Sequence, residues 1–385
     1  MAIQDTTNVS VGIRSETTWG DGDGTTGSFQ LMRFSKIDTK LKQESKKADE
    51  IRTDRTRGKD VRVSRGSEVT LDAPMIATNF HPVYRSAFQY TAVTPTAVAN
   101  DVSFAASDSS INRAAGSFVT ENYLAGDWIK VASGLNAGYW RVTSVVALKM
   151  VLAQGPAAVQ DVASATVVVT GNKRFRHAAI GAGTKLSDEI LVRQTGLGKS
   201  FYYPGSIPSK FSTMVKVNDF MTQSASWTGE TEGVFAGVSQ TTVAAPTGDP
   251  QSACFNVSSI RLTATAYTGL VTDVEINYEN TLEERPAVAT LGNADIGVHS
   301  AKASGKFSIY FQTETEYLLF VNATASGLVL RFTDDAGNVE IHDLPSVKFV
   351  DGKNNREFEK GVATELNFEA QSGGDVFYQI GYFAA

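Results

Sequence analysis

Along this chain, apolar and polar residues alternate one by one far more often than they recur at helical spacing. Between Val271 and Glu279, Val274, Ile276 and Tyr278 interleave with Asp273, Glu275, Asn277 and Glu279. Ser212 to Thr222 reads the same way, with Thr213, Val215, Val217 and Asp219 on one face and Met214, Lys216, Asn218 and Phe220 on the other. Lys302–Phe311, Tyr317–Asn322 and Leu328–Phe332 repeat the habit. A period of two sends successive side chains to opposite faces of a strand, so these runs predict strands with one face on a core. The run Thr333-Asp-Asp-Ala-Gly-Asn338, between Leu328–Phe332 and Val339–His342, predicts a hairpin turn. Helical pattern is scarce. Asn79–Gln89 predicts one short helix, with Asn79 as cap, Pro82 near the first turn and Phe80, Val83, Tyr84 and Phe88 on one stripe. Glu314–Phe320 is a second candidate of one or two turns. The predicted class is mostly β, a sandwich or barrel with one short helix.

Organisation follows from shifts in composition. At about 150 residues per domain, 385 residues suggest two to three domains. From Thr91 to Asn122 the chain is rich in Ala, Ser, Thr and Val and poor in charge. Two strand-like runs around Trp128 and Tyr139–Val142 follow, separated by Ser133-Gly134 and Asn136-Ala137-Gly138. Val145–Leu152 and Thr166–Thr170 complete the pattern of a small β-barrel. The expectation is a split domain, 1–94 and 174–385, carrying an inserted module at 95–173. Gly229–Pro250 shows no apolar period and reads as a long loop, a length that in compact domains is usually functional or disordered.

Composition narrows the class. Hydrophobic residues are 42% and charged residues 20%, slightly below the soluble averages of about 45–50% and about 25% but far from the disordered corner. A net charge of −6 argues against a wholesale nucleic-acid clamp. The charge is unevenly placed. Lys40–Arg65 holds ten basic and five acidic residues, 10 − 5 = +5, which leaves −6 − 5 = −11 for the remainder. The single cysteine, Cys254, excludes an intramolecular disulfide. The N-terminus lacks the basic and apolar regions of a signal peptide. The apolar stretch Val142–Val169 is interrupted by Lys149, Gln154, Gly155-Pro156, Gln160 and Asp161, and reads as strands and a turn rather than a membrane span. The expectation is a soluble protein made inside a cell.

Candidate chemistry is thin. Thr195-Gly-Leu-Gly-Lys-Ser200 ends like a phosphate loop, but Arg193 stands where the first glycine is needed, so it reads as a turn. Trp19-Gly-Asp-Gly-Asp-Gly24 lacks the spacing and the distal Glu of a calcium loop. His81, His177, His299 and His342 have no metal-ligand spacing, and no Gly-x-Ser-x-Gly is present. No catalytic residue, metal or cofactor is expected. The row Asp273, Glu275, Asn277 and Glu279 reads either as a solvated outer face or as an acidic wall facing a channel, because carboxylates keep phosphates from sticking. The basic stretch reads either as a solvated hairpin or as a dock for an acidic surface of an identical neighbour. Trp128, Tyr139 and Trp140 offer a sugar-stacking platform, so an adhesin or carbohydrate-binding module at 95–173 is the alternative.

The order of segments resembles the major tail tube protein family of long non-contractile bacteriophage tails. The resemblance is carried by Glu16-Thr-Thr-Trp-Gly20 with Met32-Arg-Phe-Ser-Lys36, by Glu50-Ile-Arg-Thr-Asp-Arg55, and by Arg62–Asp72 followed by the helix around His81–Phe88. It continues in Gly126–Gly134 with Arg141-Val142, Phe211–Gly229, Asn277-Tyr-Glu-Asn280 … Arg285, Leu344–Phe349 and Phe368-Glu-Ala370. What the resemblance implies is a structural virion protein without enzymatic activity. Six subunits would share one continuous β-barrel around a channel. Rings would stack through an N-terminal arm, 1–30, and a long basic hairpin loop, 40–65. The tube would be assembled in the host bacterial cytoplasm, hold the tape measure protein, meet tail terminator and distal tail proteins at its ends, and pass DNA without sequence-specific binding or a membrane segment. The module 95–173 would lie on the tube exterior. On this reading Asp273, Glu275, Asn277 and Glu279 face the lumen, and Lys40, Lys42, Lys46, Lys47, Arg52, Arg55, Arg57 and Lys59 make inter-ring contacts.

Overall fold

The computed structural model describes residues 8–24, 27–47, 60–99, 102–165, 167–177, 185–262, 265–311, 315–356, 361–372 and 376–385. It is mostly β, with two short helices. The chain divides into two compact units. The first comprises Met1–Tyr90, Ala179–Ala253 and Asp273–Gly305, and the second Thr91–Ala178, Cys254–Thr272 and Lys306–Ala385.

The first unit is organised by five antiparallel strands of a larger sheet: β1 (Lys36–Lys47), β2 (Asp60–Pro74), β3 (Lys199–Lys216), β4 (Thr222–Gly229) and β5 (Val271–Pro286), the last of which is also neighboured by Asn293–Tyr310. Pairing gives the order β1-β2-β4-β3-β5. Strict alternation along β2, β4 and the second half of β3 buries Val69, Leu71, Ala73, Ala225, Trp227 and Phe211 on one face. The first half of β3 leaves this sheet and pairs with Asp188–Gln194, which in turn pairs with Val9–Ser15. The change of direction falls near Gly205, whose φ of 61° is left-handed and whose Cβ would stand 2.9 Å from the Trp19 ring. A side chain there would meet both backbone strain and an indole.

Helix α1 (His81–Ala87) covers the apolar face, starting with Pro82 in its first turn. The expected stripe holds: Phe80, Val83, Tyr84 and Phe88 are all buried. Asn79 is not the cap. The cap position is Phe80, because the Asn79 amide is taken by main chain. It accepts from Arg33 N at 3.0 Å and donates to Arg33 O at 2.9 Å. Ring pairs fasten α1 to the sheet: Tyr84–Phe211 at 5.4 Å, Phe88–Phe211 at 5.5 Å and Phe88–Tyr278 at 4.8 Å. Such pairs add about 0.5–1.5 kcal/mol each beyond area burial.

The second unit contains an eight-stranded sheet running from Val98–Ala99 to Val168–Gly171. It encloses its own core, including Phe104, Ile111, Phe118, Trp140, Met150 and Val169. A second sheet of the same unit is built from Val257–Leu262, Ser326–Thr333, Val339–Asn355, Ala363–Ala370, Gln379–Phe383 and Lys173–Arg176. Buried Asp343 joins the two sheets, accepting from Trp128 Nε1 at 3.1 Å, Arg141 Nε at 2.8 Å and Gln379 Nε2 at 2.8 Å. The predicted hairpin is present, with Thr333 paired to Val339 and Gly337 at φ 91°.

Three expectations change. Ser212–Thr222 is not one strand. β3 ends at Lys216, and a turn through Asn218, at φ 61°, leads into β4. Asn tolerates this left-handed conformation better than most residues, and Asp219 Oδ1 accepts from Phe220 N at 2.8 Å. Tyr317–Asn322 is not a strand but lies in α2 (Thr315–Val321), where Tyr317 and Phe320 meet three residues apart and Phe320 rests on Gly352. Gly229–Pro250 is not all loop. It forms Gly233–Ala236, paired with β3, and Thr241–Val243, which runs parallel to Ser28–Met32. Polar residues on neighbouring strands hold it: Gln30 Nε2 donates to Ala244 O at 2.8 Å, and Ser200 Oγ to Gly237 O at 2.7 Å.

Candidate assembly surface

The face of the five-stranded sheet opposite α1 is mostly polar, with the 38% exposed Met214 set in the row between Thr222 and Glu275. Registration sets its rows. One row reads Lys36, Asp72, Ser224, Ser212, Asn277, and the next Asp38, Thr70, Ser226, Lys210, Glu279. Asp273, Glu275, Asn277 and Glu279 all lie on this face, while Val274, Ile276 and Tyr278 between them are buried. The acids are not alone. Lys216 stands opposite Asp273, and Lys210 opposite Glu279 with its Nζ 3.2 Å from Glu279 Oε1. With Lys36, Lys40, Lys210 and Lys216 against Asp38, Glu68, Asp72, Asp273, Glu275 and Glu279, the face carries 4 − 6 = −2. Its centre is a band of small hydroxyls that satisfy one another and nearby carboxylates. Thr70 and Ser226 are 3.1 Å apart, and Ser224 Oγ donates to Asp72 Oδ1 at 2.6 Å. It is a hydrophilic, weakly charged surface.

Beyond this sheet β1 and β2 continue as a two-stranded ribbon. Lys46 and Lys47 are exposed there, as are Val61, Arg62 and Val63, while Lys40 is exposed on the sheet itself, opposite Glu68. Lys42 sits at the root of the ribbon, 2.7 Å from Glu68 and 3.2 Å from Glu284. Burial works to lower its pKa, and the two glutamates outweigh it, so the ammonium is held above its ordinary value. Arg52, Arg55, Arg57 and Lys59 lie outside the described residues.

The family model for phage tail tube protein matches residues 6–371. The chain belongs to this family. No curated protein matches it.

In this tail tube protein the remaining candidate sites dissolve into structure. Thr195–Ser200 is the turn between Asp188–Gln194 and β3, with Gly198 left-handed at φ 60°. His342 is buried between the Tyr378 hydroxyl, at 2.7 Å, and Glu340, at 2.8 Å, while Asp343 faces Trp128 and Arg141. No triad forms from that pair. His299 lies 3.0 Å from Glu283 at the surface. Among the described residues no group of three or more His, Cys, Asp or Glu could hold a metal ion, and no helix is long and apolar enough to cross a membrane. The sugar-stacking platform is overturned. Trp128 and Trp140 are buried in cores, and Tyr139 is covered by Arg331 at 5.1 Å and by Phe383.

The tail tube protein also holds a carboxylate cluster that sequence reasoning missed. Glu16 accepts from Gly205 N at 2.8 Å and from Ser187 Oγ at 2.5 Å. Glu189 accepts from Gly24 N at 2.6 Å and pairs with Arg14. Asp188 is fully buried near Arg85. Burial raises all three pKa values. For Asp188 burial carries it up to about 7, with Ser86 and Arg85 opposing and Glu16 reinforcing the rise. The cluster pins the loop 16–24 onto the strand Asp188–Gln194 and onto Gly205 within β3. The only sequence signal was Glu16 within Glu16-Thr-Thr-Trp-Gly20.

Proposed function

We propose that six copies form a ring, with the wet face of β1–β5 turned to a central channel, and that rings stack into the tube of a long non-contractile phage tail. The observation that carries this reading is the sheet with one face packed under α1 and the opposite face mostly polar, Met214 apart. A sheet of this kind leaves an open edge at β1, which among the described residues pairs only with β2, and closure around a ring removes such edges. Asp273, Glu275, Asn277 and Glu279 then line the lumen, with Lys210 and Lys216 moderating their charge. A weakly negative lining offers phosphates no sticking point, so DNA passes without base-specific contacts. The tube encloses the tape measure protein during assembly in the host cytoplasm and ends on terminator and distal tail proteins. The basic ribbon, with Lys40, Lys42, Lys46, Lys47, Arg52, Arg55, Arg57 and Lys59, makes the inter-ring contact. Residues 95–173 form an inserted module on the exterior. Negative-stain microscopy of the purified protein tests the reading: hollow tubes with a regular ring repeat are expected, and a persistent monomer at high concentration would refute it.

A further inference from the structure

The ribbon and the β3–β4 turn leave the five-stranded sheet at opposite ends. β2 and β4 are in register from Ser67 opposite Gly229 to Pro74 opposite Thr222. The ribbon, Asp60–Gly66 with its partner strand, continues past the first of these ends. The turn Val217–Phe220 sits past the second. The two ends carry opposite charges and each exposes apolar side chains. On the ribbon, Val61 and Val63 are exposed at 61% and 45%, and Val63 falls at the register shift beside Glu44 and Ser45. Lys46 is the register partner of Val61, and Lys47 and Arg62 flank it. At the turn, Val217 and Phe220 are exposed at 45% and 59%. Asp219 lies between them, and Asp273 lies beside them opposite Lys216. A two-stranded ribbon is marginal in water, and, among the described residues, 60–63 of this one are exposed beyond the Arg65 bond to Glu232 O. At about 3.3 Å per residue its described part reaches roughly 20 Å beyond Gly66.

We propose that the β3–β4 turn, Val217–Phe220 with Asp273 at its side, is the receptor for the ribbon of a second copy of this chain displaced along the strand axis. Val61 and Val63 cover Val217 and Phe220, while Lys46 and Lys47 meet Asp219 and Asp273. Donor and receptor are different patches of one subunit, so the contact is heterologous and propagates instead of closing on itself. The inference rests on the stacked-tube reading and supplies its missing half, the surface that accepts the ribbon.

The test is site-directed cross-linking in a Cys254→Ser background. A chain carrying Val61→Cys and Phe220→Cys is expected to give, on oxidation, a disulfide ladder of many chains. A control carrying Val61→Cys and Val288→Cys, with the second cysteine in another exposed turn, is expected to give no ladder. Absence of the first ladder, or equal ladders from both, overturns the receptor assignment. In parallel, Asp219→Lys with Asp273→Lys is expected to lower the polymerised fraction at least tenfold at unchanged melting temperature. Adding Lys46→Glu and Lys47→Glu to that chain is expected to restore it, and failure of this rescue also counts against the assignment. Hollow tubes without the ladder refute the receptor and leave the tube reading intact. A ladder of open chains without hollow tubes refutes the tube reading and leaves the receptor intact.

Discussion

The eight-stranded sheet of residues 98–171 and the five-stranded sheet β1–β5 are written in the same alternating code, yet only the first completes itself. Its inward residues fill one enclosed core, with Trp140 anchored by a bond from Nε1 to Asn136 O at 2.8 Å. The five-stranded sheet packs its apolar face under α1 and leaves a mostly polar face, an edge at β1 that among the described residues pairs only with β2, and a ribbon exposed at 60–63. The difference lies in what each sheet still requires. The first encloses a core and rests Trp128 and Tyr139 on the neighbouring sheet of its own unit, whereas the second presents surfaces whose chemistry suits copies of itself.

That contrast can be broken most severely through the cores. Trp140→Ala should cost about 3–5 kcal/mol and destabilise residues 98–171 while tubes still form; loss of tubes would tie the module to assembly. Phe211→Ala, beneath α1, should cost a similar amount and abolish tubes together with the fold of β1–β5. Calorimetry with electron microscopy on each variant separates the two outcomes. Next in size is the Asp343 junction. Asp343→Asn should cost about 1–3 kcal/mol by weakening its bonds to buried donors, read as a fall in denaturant midpoint at constant m-value.

The carboxylate cluster predicts a pH dependence of the first unit. Asp188 is raised from 3.8 to about 7 in the folded chain, so the native state binds more protons than the unfolded one. Stability from this group is therefore present at low pH and is lost as pH climbs from about 4 through 7. Glu16 and Glu189 are raised in the same direction. Melting temperature should fall over this window in the wild type, and Asp188→Asn should flatten the slope. The smallest effect belongs to the wet face. Lys210→Ala removes an exposed pair worth about 0.2–1 kcal/mol, so it should leave the monomer's melt nearly unchanged.

Much of this was legible in the sequence because alternation and turn chemistry are local. The strand of Asp273–Glu279, the hairpin at Thr333–Asn338 and the helix at His81–Ala87 depend on neighbours within a few residues. What was not legible is set by partners distant in the chain. Lys210 and Lys216 temper the acidic row only because β3 lies beside β5. Asn79 abandons its capping role for the main chain of Arg33. Glu16, Asp188 and Glu189 come together from segments about 170 residues apart, and no local pattern announces them. Trp128 and Trp140 look like a binding platform in sequence, since an indole's burial depends on the sheet around it. The break at Asn218 was missed because Val217 and Phe220 continue the alternation into a turn.

The central claim, that the polar face of β1–β5 lines a channel, is tested most directly by cryo-electron microscopy of the assembled tube. The account predicts Ser224, Ser226, Glu275 and Glu279 facing the axial lumen, with α1 on the side away from it. A reconstruction with those side chains on the outer wall would contradict it.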